Sequence, residues 1–359
     1  MARGVIPKIW LEATAARLGF DLCGVAPADL DPQNRDHYLW WLNQGFHGEM
    51  EYMKRFERQD IRLLMPDVRS VICMGMNYHS DHPLSIECPD PMHGWIARYG
   101  WGDDYHDVMR ERMEQLVEQI RAEAGEGFEA KIYVDTGPLL ERAAAWAAGL
   151  GWIAKNTCLI NEGIGSWFFL GAILTNLDLE PGLPAPDRCG TCTRCIDACP
   201  TSAITEPYVL DATRCISYYT IEVKGAIPEP MRPQMGRHVF GCDICQDVCP
   251  WNRAAPVSLL PAFQPRPIPQ AHSNAPETAF NPPLELLAEL SEEQFLEVFR
   301  GSPVRRPKYR GFLRNVAVAM GNSHDPKFRP ILARLGNHAD SLVREHALWA
   351  LAQLETPDE

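Results

Sequence analysis

Four cysteines crowd into CGTCTRCIDACP, residues 189–200, with the spacing Cys-x2-Cys-x2-Cys-x3-Cys-Pro. In this spacing three neighbouring thiolates hold one cubane iron–sulfur cluster, and the fourth reaches across to a second cluster. A zinc site would need two separated pairs of ligands and no Cys-Pro ending, so zinc is the weaker alternative. The run therefore predicts a ferredoxin-like module.

A second, shorter run further along the chain completes the ligand set. Cys242, Cys245 and Cys249 precede Pro250, and the lone Cys215 lies between the two runs. Eight thiolates are the number that two [4Fe-4S] clusters require, and the ferredoxin crossover divides them into two groups. The predicted ligands are Cys189, Cys192, Cys195 and Cys249 for one cluster, and Cys199, Cys215, Cys242 and Cys245 for the other.

Composition places the chain among ordinary globular proteins. Its 359 residues exceed what one hydrophobic core usually organises, so two or three domains are expected. Twelve cysteines are about 3% of the residues, well below the level of a disulfide scaffold. The net charge of −13 argues against a generally basic surface that coats nucleic acid.

Segments that would direct the chain to or through a membrane are not found in the sequence. The longest apolar stretch, residues 143–154, has 12 residues, against roughly 18 for a spanning helix. Glu12 and Arg17 interrupt any secretory signal at the N-terminus. A cytoplasmic protein without membrane association is therefore expected.

Changes of pattern divide the chain into four predicted parts: 1–183, 184–255, 256–283 and 284–359. The first alternates strand patterns at 70–78 and 130–136 with helical patterns at 8–18, 104–124 and 139–149, which indicates an α/β domain. The second holds eight of the 12 cysteines. The third has eight prolines in 28 residues, which predicts an extended linker or wrapping segment.

The last part contains a weak internal repeat. LRNVAVAMG at 313–321 and VREHALWAL at 343–351 share an apolar residue, an arginine and an alanine at matching positions. Stacked helix pairs of the HEAT type would explain the repeat, and one ordinary helical subdomain would explain it equally well. Both interpretations predict an all-α C-terminal domain.

Two cofactor patterns in the first part fail their context tests. Gly-x-Gly-x-x-Ala at 149–154 follows an Ala-rich helix rather than a strand, so a dinucleotide site is rejected. Asp104-x-His106 begins the pattern of a histidine-ligated cobalamin protein, but Met109 occupies the required glycine position. Asp135, at the end of an apolar strand, is either functional or a helix N-cap ahead of Pro138.

Several segments together resemble the epoxyqueuosine reductases, a cobalamin-dependent iron–sulfur family. They are IARYGWGDDYH at 96–106, VDTGPLLER at 134–142, GLGWIAKNTCLI at 149–160, GSWFFLGAI at 165–173, RCISYYTIE at 214–222 and GCDICQDVCPWN at 241–252. The resemblance implies a reductive-dehalogenase- or nitroreductase-like α/β cobalamin domain, a two-cluster ferredoxin-like domain and a HEAT-like C-terminal domain. It also implies an enzyme that reduces epoxyqueuosine to queuosine at position 34 of tRNA.

The resemblance assigns roles to individual residues. Asp135 matches the proton donor of the family, and its pKa would have to be raised by burial for it to keep a proton near neutral pH. The clusters would supply single electrons that generate cob(I)alamin, a strong nucleophile. Residues expected at the cobalamin are Arg58, Asp135, Asn156, Thr157, Cys158, Ser166, Phe169, Ser217, Cys242 and Asp243.

A basic segment gives the tRNA substrate a predicted place. Residues 300–334 contain nine Lys or Arg and one acid, Asp325, within a chain of net charge −13. The candidate phosphate contacts are Arg305, Arg306, Lys308, Arg310 and Arg314, with a plain solvated face as the alternative. Expected partners are a tRNA with a queuosine-type anticodon and an external low-potential electron donor, and the chain is expected to be a monomer.

Two other functions fit part of the sequence. A related corrinoid reductase acting on a small molecule would share the two clusters, but it would not need the basic segment. An electron-carrier subunit would need the clusters alone and would leave the first 183 residues without a cofactor.

Overall fold

Helices and short strands alternate through the computed structural model, which describes residues 6–29, 31–269 and 277–355. The α-helices are α1 (Lys8–Arg17), α2 (Pro32–Asn43), α3 (Tyr105–Ala124), α4 (Glu141–Ala147), α5 (Arg194–Asp197), α6 (Ile244–Asp247), α7 (Leu284–Glu289), α8 (Glu292–Val298), α9 (Lys308–Asn322), α10 (Arg329–Leu335) and α11 (Ser341–Gln353). Among the described helices, none combines the length and the apolar character needed to cross a membrane.

The strands are mostly short. They are β1 (Leu22–Pro27), β2 (Ser70–Asn77), β3 (Trp95–Ile96), β4 (Ala130–Tyr133), β5 (Trp152–Ile153), β6 (Leu159–Ile160), β7 (Phe168–Thr175), β8 (Ile204–Glu206), β9 (Val209–Leu210), β10 (His238–Phe240), β11 (Pro267–Ile268) and β12 (Glu277–Thr278). The two strands of eight residues, β2 and β7, form the centre of the main sheet.

The main sheet has the order β1-β2-β7-β4, and each neighbouring pair is antiparallel. All eight residues of β2 are buried, because helices cover both faces of the sheet. Ile72, Met74 and Met76 pack with α1 and α3, whereas Val71 and Cys73 pack with α4 on the other face. This alternation follows from the two-residue period of a strand and explains why the sequence of β2 is apolar throughout.

The predicted elements of the first part are confirmed, with shifted ends. The helix expected at 104–124 begins at Tyr105, because the Asp104 carboxylate caps it by accepting the His106 N–H at 3.0 Å. The helix expected at 139–149 is shorter, since it begins at Glu141 and the chain turns at Gly149 with a φ of +83°. The strand expected at 130–136 ends at Tyr133, which leaves Asp135 in a loop.

The described part of the proline-rich segment lies against the main sheet and the C-terminal helices. The Asn77 amide donates to the Pro256 carbonyl at 2.8 Å, and the Ser258 N–H donates to the His79 carbonyl at 2.8 Å. Phe263 enters the core beneath the main sheet, and Ile268 enters the core of the C-terminal helices. Residues 270–276 of the predicted linker, 1–5 and 30 of the first part, and 356–359 of the last part lie outside the described residues.

The C-terminal helices share one core with earlier parts of the chain. Helix α9 is buried from Gly311 to Gly321, and it packs against α7, α11 and β10. At Gly321 an added Cβ would lie 2.8 Å from the Ala350 Cα, so the glycine is needed for the close approach of α9 and α11. Trp95, Trp101 and Phe240 lie in the same core.

Arg314 fastens α9 to the cysteine-containing part of the chain. Its side chain is fully buried, and its guanidinium donates to the carbonyls of Val223 at 2.9 Å, Gly225 at 2.6 Å and Tyr219 at 2.6 Å. The remaining donors bond to the Asn315 side chain. This corrects the expectation that Arg314 contacts tRNA phosphate, because all its donors are used inside the protein.

Replacing Arg314 should destabilise the fold far more than replacing an exposed arginine one turn away. Arg314→Met leaves three carbonyl groups without their buried donor, so we expect a loss of about 3 kcal/mol or more in unfolding free energy. Arg310→Met, the matched control, should change it by less than about 0.5 kcal/mol. Denaturant unfolding of both variants measures the difference, and equal stabilities would remove the fastening role of Arg314.

Candidate functional site

Asp135 lies in the loop between β4 and α4, in a strained backbone conformation. Its φ of +52° belongs to the left-handed region that residues other than glycine rarely adopt. Its N–H donates to the Glu141 carboxylate at 2.8 Å, which holds this conformation. The N-cap of α4 is Leu140, so the alternative role of Asp135 as a helix cap is not observed. About half of the Asp135 side chain (53%) is exposed and can meet a ligand.

The first turn of α3 brings a histidine to this carboxylate. His106 Nδ1 lies 2.7 Å from Asp104 Oδ1, and His106 Nε2 lies 3.5 Å from Asp135 Oδ2. The Tyr105 ring stacks on the His106 ring with centroids 4.1 Å apart. The imidazole is therefore held between two carboxylates, one that caps its helix and one that faces the open site.

These contacts set the protonation of the site. Burial pushes the pKa of His106 down, but its hydrogen bond with Asp104 and the close carboxylates of Asp104 and Asp135 outweigh burial and raise the pKa to about 9. Burial likewise pushes the pKa of Asp135 up, but the adjacent positive charge of His106 and a hydrogen bond from Tyr105 hold the pKa below its usual value. This corrects the raised pKa expected from the sequence, and the reason is the neighbouring His106 cation.

A second acid behind the loop, Glu141, has a raised pKa, in contrast to Asp135. Burial and the nearby charge of Asp135 raise the pKa of Glu141 to about 8. The buried Arg58 lies on the same side, and its guanidinium donates to the Leu139 carbonyl at 2.6 Å. Arg58 Nε is buried without a partner among the described atoms. The structure thus places the predicted residue Arg58 behind the Asp135 loop.

Aromatic rings form one wall beside His106. The predicted residue Phe169 stacks on Tyr105 with centroids 4.2 Å apart and an interplanar angle of 3°. Tyr78 lies on Phe169 with centroids 4.3 Å apart. Phe169 is buried, so it supports the ring of Tyr105 and, through it, the orientation of His106.

The segment Asn156, Thr157 and Cys158 connects the Asp135 loop to the cysteines. The Asn156 amide donates to the Cys245 carbonyl at 3.2 Å, and the Cys158 thiol hydrogen-bonds with the Cys245 thiol. Thr157 has a φ of +64°, and its carbonyl accepts a hydrogen bond from Arg142, next to Glu141. These three predicted residues therefore lie between the carboxylates and the cysteine module.

Ser166 anchors the strand β7 to the same module. Its N–H donates to the Asn252 side chain at 2.7 Å, and its carbonyl accepts from the Gln246 side chain at 3.0 Å. At Gly165, whose φ is +69°, an added Cβ would lie 2.2 Å from Asn252 Oδ1, so only glycine allows this approach. Ser166 is buried, and its hydroxyl is engaged by Asn252.

The eight predicted cluster ligands form two groups. The first four, Cys189, Cys192, Cys195 and Cys249, line one small cavity. Burial raises the pKa of the Cys242 thiol, and the nearby thiols of Cys215 and Cys199 raise it further. The hydrogen bond to Cys158 and burial raise the pKa of the Cys245 thiol most, and the nearby thiols of Cys242 and Cys215 raise it further. The second group thus surrounds Cys242.

Two further predicted residues lie close to the second group. Ser217 is hydrogen-bonded to Cys215, two residues before it. Asp243 is buried, and its carboxylate accepts from the Trp95 indole at 3.0 Å and from the Arg98 N–H at 2.8 Å. The Asp243 carboxylate therefore joins the module to β3 and the turn that follows it.

Lys155 holds the loop of the first group. Its ammonium donates to the carbonyls of Gly190 at 2.6 Å and Cys192 at 2.9 Å, and only 8% of the residue is exposed. A cation fixed on the backbone of this loop complements the negative charge of a thiolate-bound cluster.

The predicted phosphate contacts divide by exposure. Arg305, Arg306, Lys308 and Arg310 are exposed, and Arg310 donates weakly to the Lys224 carbonyl at 3.4 Å. Arg306 pairs with Glu222 at 2.8 Å and lies over the Tyr52 ring, with its guanidinium carbon 5.8 Å from the ring centroid. Its charge also acts on Asp135, so Arg306 lies at the rim of the carboxylate site.

Sequence reasoning missed several of these residues. His106 stands out in the sequence only as a metal-ligand candidate, although its place two residues after a capping aspartate is visible there. Glu141 and Lys155 lie within the segments 134–142 and 149–160, yet nothing in their spacing shows burial. Lys224 is far from the basic segment in sequence, and its Nζ donates to the Arg306 carbonyl at 3.1 Å.

Comparison with protein-family models finds two matches. Residues 188–252 match a "4Fe-4S double cluster binding domain", which agrees with the predicted ferredoxin-like module. Residues 58–136 match "Epoxyqueuosine reductase QueG, DUF1730", a range that ends just after Asp135.

Curated relatives are similar over almost their whole length. The epoxyqueuosine reductase of Xanthomonas campestris is 44% identical over 352 residues, covering 96% of this chain and 95% of the relative. That of Pseudomonas aeruginosa is 45% identical, with 93% and 91% covered, and that of Escherichia coli is 40% identical, with 94% and 86% covered.

Solved structures show the same likeness in three dimensions. One is an epoxyqueuosine reductase crystallised with an epoxyqueuosine-modified stem loop of tyrosine tRNA. It has a TM-score of 0.85 and 30% identity over 97% of this chain and 90% of that one. Another, from Bacillus subtilis, has its catalytic aspartate loop swung out of the active site, with a TM-score of 0.83, 30% identity and 98% and 91% covered. This chain therefore belongs to the epoxyqueuosine reductase family and is an oxidoreductase.

Proposed function

We propose that this enzyme reduces epoxyqueuosine to queuosine at position 34 of tRNA. The observation that carries the proposal is the placement of Asp135 and His106 on one side of residues 156–158, with the cysteine module on the other. An epoxide reductase needs both halves, because it must deliver two protons and two electrons to remove the oxygen as water. The relatives named epoxyqueuosine reductase supply the identity of the substrate.

The two groups of cysteines are proposed to hold two [4Fe-4S] clusters. Cys189, Cys192, Cys195 and Cys249 would hold one, and Cys199, Cys215, Cys242 and Cys245 the other. Soft thiolates in this number suit iron–sulfur clusters. Since Cys245 contacts Cys158, the second cluster would lie on the side of Asp135 and would pass electrons to the reaction.

Cobalamin is the proposed cofactor for the reduction of the substrate. The residues fit such an amide-rich ligand, since Arg58 Nε is a buried donor without a described partner and Asp135 is half exposed. Residues proposed to hold it are Arg58, Asp135, Asn156, Thr157, Cys158, Ser166, Phe169, Ser217, Cys242 and Asp243. When bound, the cobalt of cobalamin supplies a strong nucleophile that can also accept electrons one at a time.

The chain itself supplies the acid. Asp135 is proposed to protonate the departing epoxide oxygen, since its carboxylate is the most exposed member of the Asp104–His106–Asp135 group. The strained backbone at Asp135 and its bond to Glu141 hold the carboxylate at the open side of the loop. The Bacillus subtilis relative also carries an aspartate on a catalytic loop.

The exposed basic residues are proposed to bind the anticodon stem. Arg305, Arg306, Lys308, Arg310 and Lys224 lie in one region, and Arg306 reaches the rim of the Asp135 site. A relative crystallised with a tRNA stem loop supports a substrate of this kind. The small-molecule and electron-carrier alternatives give this surface no role.

The domain divisions proposed for the chain are 1–183, 184–255, 256–283 and 284–359. The third is a proline-rich linker, and the fourth is a HEAT-like C-terminal domain. We further propose a cytoplasmic monomer that receives electrons from a separate low-potential donor.

Replacing Asp135 by asparagine should abolish turnover without disturbing the cofactors. Asp135→Asn cannot donate the proton, so we expect a loss of at least about 100-fold in queuosine formation. Nucleoside mass analysis of tRNA measures the product, while optical spectra report the clusters and the corrinoid. Asp107→Asn, on the exposed side of the first turn of α3, is the control. Wild-type rates in Asp135→Asn would remove Asp135 from the mechanism.

Replacing Lys155 should change one cluster and leave the other unaffected. Lys155→Met removes a cation beside the first group, so the reduction potential of that cluster should become more negative. Redox titration followed by electron paramagnetic resonance measures both potentials, and iron should stay near about eight atoms per chain. Lys131→Met is the control, because Lys131 also donates to a carbonyl, Leu64 at 2.6 Å, but is exposed. About four irons, or bound zinc, would contradict the two-cluster proposal.

Neutralising exposed cations of the basic region should weaken the salt dependence of tRNA binding. Removing a single phosphate contact lowers the slope of log affinity against log salt by about one. Arg305→Gln combined with Lys308→Gln should therefore lower it by about two. Arg121→Gln, on the exposed face of α3, should leave the slope unchanged. A tRNA affinity indifferent to salt would contradict this placement.

A further inference from the structure

The proton supply of the site presents a problem that Asp135 alone does not solve. Its pKa is held below the usual range by His106 and Tyr105, so Asp135 is ionised at neutral pH. Removal of the epoxide oxygen as water consumes two protons in each turnover. Another group must therefore supply protons through Asp135.

We propose that His106, held by Asp104, is the proton store from which Asp135 is recharged during turnover. This inference rests on the proposed function and adds a residue to it. His106 is a positioning and proton-supplying residue, since it touches Asp135 rather than the substrate.

The geometry supports a path in this direction. The Nδ1 atom is bound to Asp104 at 2.7 Å, which leaves Nε2 as the nitrogen that faces Asp135 Oδ2 at 3.5 Å. His106 Nε2 is buried, and its contact with Asp135 is longer than an ordinary hydrogen bond. Contacts of catalytic groups are often long before the substrate binds, and a shift of about 0.5 Å would close this one.

Neighbouring elements add charges of both signs around the imidazole. The titratable or charged groups facing the pair His106–Asp135 are Asp104 and Tyr105 at the start of α3, Glu141 of α4, Tyr99 of the preceding turn, Tyr52 and Arg306. Arg266 acts on Asp104. Burial opposes the charged imidazole, but the two adjacent carboxylates outweigh it, and the pKa of His106 is about 9. His106 therefore carries its proton at neutral pH.

Two other acids near Asp135 are less suited to this role. Glu141 accepts the Asp135 N–H, so its described bond is to the backbone and not to the reacting carboxylate. Tyr105 hydrogen-bonds with Asp135, but burial and the charge of Asp135 raise its pKa far above neutral. Tyr105 thus orients the carboxylate and keeps its own proton.

Protons and electrons balance over one turnover. The two carbon–oxygen bonds of the epoxide break, the carbon–carbon double bond forms, and the external low-potential donor supplies the two electrons. The oxygen takes two protons from Asp135 in succession and leaves as water. Because Asp135 is ionised at rest, His106 passes its Nε2 proton to Asp135 before each transfer, becomes neutral imidazole, and is reprotonated by solvent before the next one.

The test compares pH profiles of the cofactor-loaded enzyme. Wild-type kcat should fall as pH rises through about 9, where His106 loses its proton. In His106→Gln the fall should begin at least about one pH unit lower, with kcat at pH 8 reduced at least about tenfold and KM for tRNA nearly unchanged. Added imidazole should restore part of the lost rate in this variant only. A purely structural defect would lower the rate equally at every pH.

A second variant and a spectroscopic measurement keep the test decisive even if His106→Gln does not fold. Asp104→Asn keeps the cap of α3, since asparagine accepts the same N–H, but it removes one charge from His106. Nitrogen-15 NMR of the oxidised holoenzyme should show the His106 pKa near 9 in the wild type and a lower pKa in Asp104→Asn. His93→Gln is the control, because His93 pairs with Asp90 at 3.0 Å at an exposed site.

The outcomes separate this inference from the proposed function. The proton store would be overturned if the wild type is active but neither His106→Gln nor Asp104→Asn shifts the pH profile of kcat or responds to imidazole. The proposed function would then stand. A fully loaded wild type unable to reduce epoxyqueuosine in tRNA would overturn the function, and the proton store with it.

Discussion

Hydrogen bonds between the α/β part and the cysteine module are the interaction on which the site depends. Each of these bonds joins a side chain of one part to the other part. The pairs are Ser166 with Asn252 and Gln246, Asn156 with Cys245, and Lys155 with the loop at Gly190. Several of these groups are buried, so leaving any of them unpaired would cost about 1–3 kcal/mol. The two parts are therefore held in one arrangement, which fixes the position of residues 156–158 and Ser166 relative to the cysteines.

Charge pairing then decides which groups carry protons. Asp104 and Asp135 enclose one imidazole, and the result is a protonated histidine beside an ionised aspartate. An aspartate buried alone would have behaved as the sequence suggested, because desolvation raises the pKa of a carboxyl group. The protonation of this site thus depends on a pair of residues rather than on one acid.

Much of the fold could be predicted from the sequence. Apolar runs found β2 and β4, amphipathic spacing found α3, and cysteine spacing found the ferredoxin-like module, because each of these patterns is local. Contacts between distant segments could not be predicted in this way. The burial of Arg314 depends on carbonyls about ninety positions earlier, and the pairing of His106 with Asp135 joins two segments that no spacing rule connects. Charge counts treated Arg314 as a surface residue because they carry no information on depth.

The shared core of the C-terminal helices has a mechanical consequence. Trp95, Trp101 and Phe240 lie in the same core as α9 and α11, and Arg314 bonds α9 to residues 219–225. The C-terminal helices are therefore packed rigidly against the rest of the enzyme and are not connected to it by a flexible tether. An RNA bound by Arg305 or Lys308 would lie at a fixed distance from Asp135. The protein would therefore select an RNA in which the bound stem and the reacting base are separated by that distance.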